Sequence, residues 1–128
     1  MQPTGSSGLQ ADRALAPHVR AYLCSLSCHE TPVTYQALTK ALQLSPPNTI
    51  RQLTMALECL IEEDAATGHP LIAALVISKT RGGLPAPGFF DSAERAGRHH
   101  EDPREFHARE FENAVKFWCR TSTPEEND

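Results

Sequence analysis

A chain of 128 residues has room for one hydrophobic core and not for two. Hydrophobic residues at 40% and charged residues at 22% exclude a wholly disordered or collagen-like chain, and the longest apolar run, Leu71 to Ile77, falls far short of the ~20 residues of a membrane-spanning helix. The net charge of −4 argues against a protein that coats nucleic acid by bulk electrostatics, but residues 11–90 balance six basic against six acidic side chains while residues 91–128 hold six against ten.

The opening MQPTGSSGLQ has neither a basic n-region nor an apolar h-region, so it does not read as a secretory signal, and a cytoplasmic protein is expected. Four cysteines are then reduced thiols. Residues 1–10 are expected to be disordered, residues 11–119 to form a single domain with a C-terminal helical extension, and residues 120–128 to be a disordered acidic tail suited to a protein partner.

In chain order, a first helix is predicted from near Asp12, with Leu15, Val19, Tyr22, Leu23 and Leu26 at helical spacing. After a break at His29 to Pro32, Thr34 caps a short helix bearing Tyr35, Leu38 and Leu42. Ser45 followed by Pro46 and Pro47 predicts an N-cap with proline at the first helical position. The long third helix then buries Ile50, Leu53, Leu57, Leu60 and Ile61, leaves Asn48, Arg51, Gln52 and Met55 toward another face, and ends near Gly68. Leu71 to Ser78 is predicted as a buried strand, Arg81 to Gly83 as a turn, and Leu84 to Phe90 as a loop or edge strand restrained by Pro85 and Pro87. Asp91 to Gly97 predicts a short helix. Asp102 with Pro103 predicts the start of a last helix with a stripe of Ala108, Phe111, Val115 and Trp118.

This order predicts a mainly α fold with a small β-hairpin, the winged form of the helix-turn-helix, whose second helix can enter a DNA major groove. Asn48, Thr49, Arg51, Gln52 and Met55 would face the bases, and Lys79 with Arg81 on the wing would meet phosphates.

The segments TYQAL at 34–38 and RQLTMAL at 51–57, followed by Pro70, the Leu71 to Ser78 run, Gly83, Leu84, Gly88 and Phe89, resemble the winged-helix domain of the alkylguanine-DNA alkyltransferases and the catalytically silent alkyltransferase-like proteins. The match covers residues 33–90. The resemblance implies a DNA-repair role in which Tyr35 helps rotate a nucleotide out of the duplex and Arg51 fills the space left in the stack. The family's Pro-Cys-His-Arg active site corresponds here to Ile72, Ala73, Ala74 and Leu75. Alkyl transfer needs a thiolate nucleophile, so direct-reversal chemistry is excluded. The glycine of the arginine segment is replaced by Thr54.

Plainer readings stand beside these. Tyr35 can pack its ring on the core and wet its hydroxyl, and Arg51 can be an ordinary solvated side chain. Cys24, Cys28 and His29 offer fewer than the four ligands of a structural zinc and read as buried thiols, while His99, His100 and His107 read as solvated. Glu58, Glu62, Glu63 and Asp64 would repel phosphate, keeping the far end of the third helix off a duplex or marking a protein-facing surface. The sequence therefore points to a non-enzymatic binder of modified or distorted duplex DNA, without metal or cofactor. A protein-interaction module on the same scaffold is the alternative.

Overall fold

The computed structural model describes residues 7–119, with side-chain environments from residue 14 onward. Of residues 1–10, expected to be disordered, 1–6 lie outside the described residues, as does the acidic tail expected at 120–128, while residues 7–10 are helical. The fold is mainly helical, with five α-helices and a two-stranded sheet among the described residues. No helix there is long and apolar enough to cross a membrane.

Helix α1 spans Ser7–Cys24, so it begins five residues before the expected Asp12. It buries Ala16, Val19 and Leu23 against the third helix. Strand β1 (Val33–Thr34) leads directly into helix α2 (Tyr35–Ala41), and the Thr34 hydroxyl accepts the Ala37 amide at 3.1 Å, as its N-cap signature predicts. Helix α3 spans Thr49–Thr67. Its start corrects the expected Ser45–Pro46 cap: Asn48 is the N-cap, in the left-handed region at φ 62°, without a side-chain cap bond. The Gln52 amide instead donates to the carbonyls of Ser45 and Pro47, each at 2.9 Å, and ties that loop to the helix. Leu53, Leu57, Leu60 and Ile61 are buried as expected, but Ile50 is 40% exposed, because the later helix start puts it on an outer first turn. Gly68 closes the helix in the left-handed conformation at φ 75°, which glycine adopts without strain.

The two-stranded sheet is not the expected β-hairpin. Strand β2 (Val76–Ile77) pairs parallel with β1, Val33 against Val76 and Thr34 against Ile77, and α2 with α3 forms the crossover such a pair needs. Half of the expected strand is a 3₁₀ turn, Ile72–Leu75, with all four residues buried. The wing reduces to one antiparallel bridge, Ser78 to Leu84, around a 3₁₀ turn at Lys79–Arg81. Pairing stops there because Pro85 has no amide to donate. Pro87 is not part of an edge strand either. It opens helix α4 (Pro87–Arg95), which starts four residues before the predicted Asp91 and takes Phe89 and Phe90 into the core.

Helix α5 (Pro103–Trp118) starts as expected, with the Asp102 carboxylate accepting the amides of Arg104 and Glu105. Its inner face is corrected: Ala108 is exposed while His107 and Ala114 are buried. This helix packs on the Ile72–Leu75 turn rather than extending away from the domain.

Residues 69–74 run through the centre of the molecule with little backbone ladder, and side chains from elsewhere satisfy them. Arg98 Nη2 donates to the His69 carbonyl at 2.6 Å and Trp118 Nε1 to the Pro70 carbonyl at 2.8 Å. Glu110 accepts the Leu71 amide at 3.0 Å and Asp64 the Ile72 amide at 2.9 Å. His107 Nε2 donates to the Ala74 carbonyl at 3.0 Å. A buried backbone polar group left unpaired would cost about 1 to 3 kcal/mol. Asp64, 1% exposed, also accepts from Arg20 at 2.8 Å, and that guanidinium lies 4.7 Å over the Trp118 ring.

Candidate nucleic-acid interface

Two adjoining depressions lie beside Tyr35. The outer one, about 310 Å³, is lined by Thr34, Tyr35 and Gln36 from the β1–α2 junction, Ile50 and Thr54 from α3, Ser78, Lys79 and Thr80 after β2, and Ala86. The inner one, about 250 Å³, is lined by Tyr35, Thr54, Leu57, Glu58, Ile61, Ala73, Ala86, Gly88 and Phe89. Tyr35, Thr54 and Ala86 line both. The helical register produces this wall: Thr54, Leu57, Glu58 and Ile61 recur at spacings of three and four along one side of α3.

Tyr35 is 8% exposed. Its hydroxyl oxygen accepts the Ala86 amide at 2.9 Å, and burial pushes the phenol above its usual value, so it stays protonated. The hydroxyl's own proton makes no hydrogen bond to another described group. The ring is thus fixed at the boundary of the two depressions. Arg51 is exposed at the start of α3, and no described group bonds its guanidinium. Lys79 is likewise exposed and unbonded on its turn, whereas Arg81 Nε donates to the Pro85 carbonyl at 2.9 Å.

The structure brings Tyr35 and Lys79 to one groove. Asn48, Thr49, Arg51, Gln52 and Met55 do not line that groove; the first four occupy the start of α3, Asn48 as its cap and Gln52 spent on the Ser45–Pro47 loop. Residues that sequence reasoning missed are Ile50, taken for core, Thr54, noted only as a replaced glycine, and Glu58, grouped with an acidic run. Their shared helical side was the one available signal.

No family model, curated protein or solved structure matches the chain. Chemistry must therefore be read from the site itself. Ala73 forms part of the inner wall and brings no nucleophilic side chain to it. Cys28 is exposed rather than buried as expected, and Cys119 is buried, with burial raising the Cys119 thiol. His107 also departs from its solvated reading: it is buried, and burial lowers its ring below the usual histidine value. Among the described residues no three His, Cys, Asp or Glu side chains group to hold a metal ion.

Proposed function

We propose that this protein is a non-enzymatic DNA-binding domain of winged-helix type that recognises modified or distorted duplex DNA. The observation that carries this reading is the adjacency of a groove bearing Lys79 and a second depression reaching Leu57, Ile61 and Ala73, with Tyr35, Thr54 and Ala86 lining both. A duplex on the outer face would have a compartment beside it for a base that has left the stack. A base leaves most readily where it is mismatched or damaged, since less pairing and stacking is then lost. The start of α3 supports the same reading. It lacks a side-chain cap, so its first amides are open to a phosphate, and Arg51 beside them is free to contact bases or replace lost stacking.

Titration of the protein against duplex DNA over a range of salt concentrations tests this. Affinity should fall as salt rises, and Lys79→Ala should reduce the slope of log affinity against log salt by about 0.9, the signature of one phosphate contact. Absence of binding even at low salt would replace this reading with that of a protein-interaction module.

A further inference from the structure

We propose that Cys28 and Cys119 form an oxidation site, at which a hydroperoxide converts the two thiols into a disulfide that clamps α5 to the turn ahead of β1. Both residues stand against the same turn of α5. Cys28 opens the 3₁₀ turn Cys28–Glu30 and lines a groove of about 280 Å³ with Phe111 and Val115 of α5. Cys119 caps α5, its amide donating to the Val115 carbonyl at 3.2 Å, and residues four apart lie on one side of a helix. The ends of α1 and α5 meet in the same region, where Arg20 lies over the Trp118 ring.

The two thiols have different surroundings. Cys28 is exposed and Cys119 buried, so an oxidant dissolved in water meets Cys28 first. Burial, with repulsion from the thiolates of Cys24 and Cys28, holds the Cys119 thiol above its ordinary value and keeps it as S–H. Such repulsion weakens with distance, so these sulfurs share one region. In the first step the Cys28 sulfur bonds to the terminal oxygen of the hydroperoxide, the O–O bond breaks, and the thiol proton passes through water to the departing oxygen. Cys28 becomes a sulfenic acid and the hydroperoxide an alcohol or water. In the second step the Cys119 sulfur attacks the Cys28 sulfur, the S–O bond breaks, and the hydroxyl leaves with the Cys119 proton as water. The two thiols lose two electrons and one hydroperoxide gains them. A disulfide needs Cα atoms within about 7 Å. Cys119 lies where α5 has already given way to extended backbone, and helix ends are the parts that fray and adjust.

The test treats the protein with hydrogen peroxide, alkylates the remaining thiols and reads unreduced peptides by mass spectrometry. A linked Cys28–Cys119 peptide, two hydrogen atoms lighter than its parts and released by dithiothreitol, is expected in the native protein and in Cys24→Ser. Cys119→Ser should instead hold a sulfenic acid at Cys28 that dimedone captures. Cys28→Ser, a change at an exposed position, should form no bond at Cys119. The oxidised native protein should melt at a higher temperature than the reduced one, because a cross-link spanning most of the chain restricts the unfolded state, and Cys28→Ser should abolish the difference. Cys24 in the linked peptide in place of either residue, linkage only between two molecules, or Cys28 oxidised in the native protein with Cys119 still free overturns the proposal. So does a Cys28 that hydrogen peroxide leaves unmodified, or equal melting of the oxidised and reduced forms.

Discussion

Arg51 is exposed, bonded to no described group and placed on an uncapped helix start, so its removal isolates binding from folding. Arg51→Ala should weaken binding to a duplex with a damaged base by about 1 to 3 kcal/mol and weaken binding to an intact duplex less. Stability should change by no more than about 0.5 kcal/mol. Paired titrations with a melting curve read all three, and equal losses on both duplexes would reduce Arg51 to a phosphate or groove contact. Tyr35 is the opposite case. Tyr35→Phe removes the acceptor of the Ala86 amide, so a loss of about 1 to 3 kcal/mol in urea denaturation is expected; unchanged stability would show that the amide does not depend on the hydroxyl. Sequence reading singled out Tyr35 through the resemblance and Lys79 through its place beside a glycine-rich turn, and the structure places both at one groove. It could not see that Gln52 is occupied, because its partners are carbonyls of an irregular loop. Nor could it separate Glu58 from its acidic neighbours, because Asp64 is neutralised by Arg20 from 44 positions away.

At the scale of elements, legibility followed local chemistry. Thr34, Asp102 with Pro103, and Gly68 mark helix ends through bonds or backbone conformations that lie within a few residues of them, and each falls where its signature puts it. The Ser45–Pro46–Pro47 signature misled because the chain needs further loop before Asn48 can turn into α3. The apolar run Leu71 to Ser78 misled because burial alone does not distinguish a strand from a 3₁₀ turn whose polar groups are met by distant side chains. His107 is one of those side chains, and it gives that turn a pH dependence. Since burial lowers its folded pKa from the ordinary 6.5, the unfolded chain takes up the proton first. The contribution of His107 is fully present above that value and is lost as the pH falls below it. Denaturation at about pH 7.5 and 5.5 should show lower stability at the acid point, and His107→Gln, whose amide can still reach Ala74, should show a smaller difference. An identical difference in the variant would mean that other groups carry the acid sensitivity.

For the molecule as a whole, α5 belongs to the core. It brings His107, Glu110 and Trp118 to residues 70–74, so a chain ending at Asp102 would leave buried backbone groups without partners and expose Leu71, Ile72 and Leu75. Such a truncated protein should lose the cooperative melting transition; cooperative melting near the full-length temperature would show α5 to be an appendage. The held segment also bears on how such a molecule could change over time. Asp64, Arg98, His107, Glu110 and Trp118 bind its main chain, not its side chains, so Ala73 can face the pocket without being one of the groups that hold the segment in place. Exchanges at that position could alter what the pocket accepts, or give it a reactive group, while the scaffold beneath persisted. The division leaves room for one architecture to gain, lose or redirect a chemistry through few substitutions.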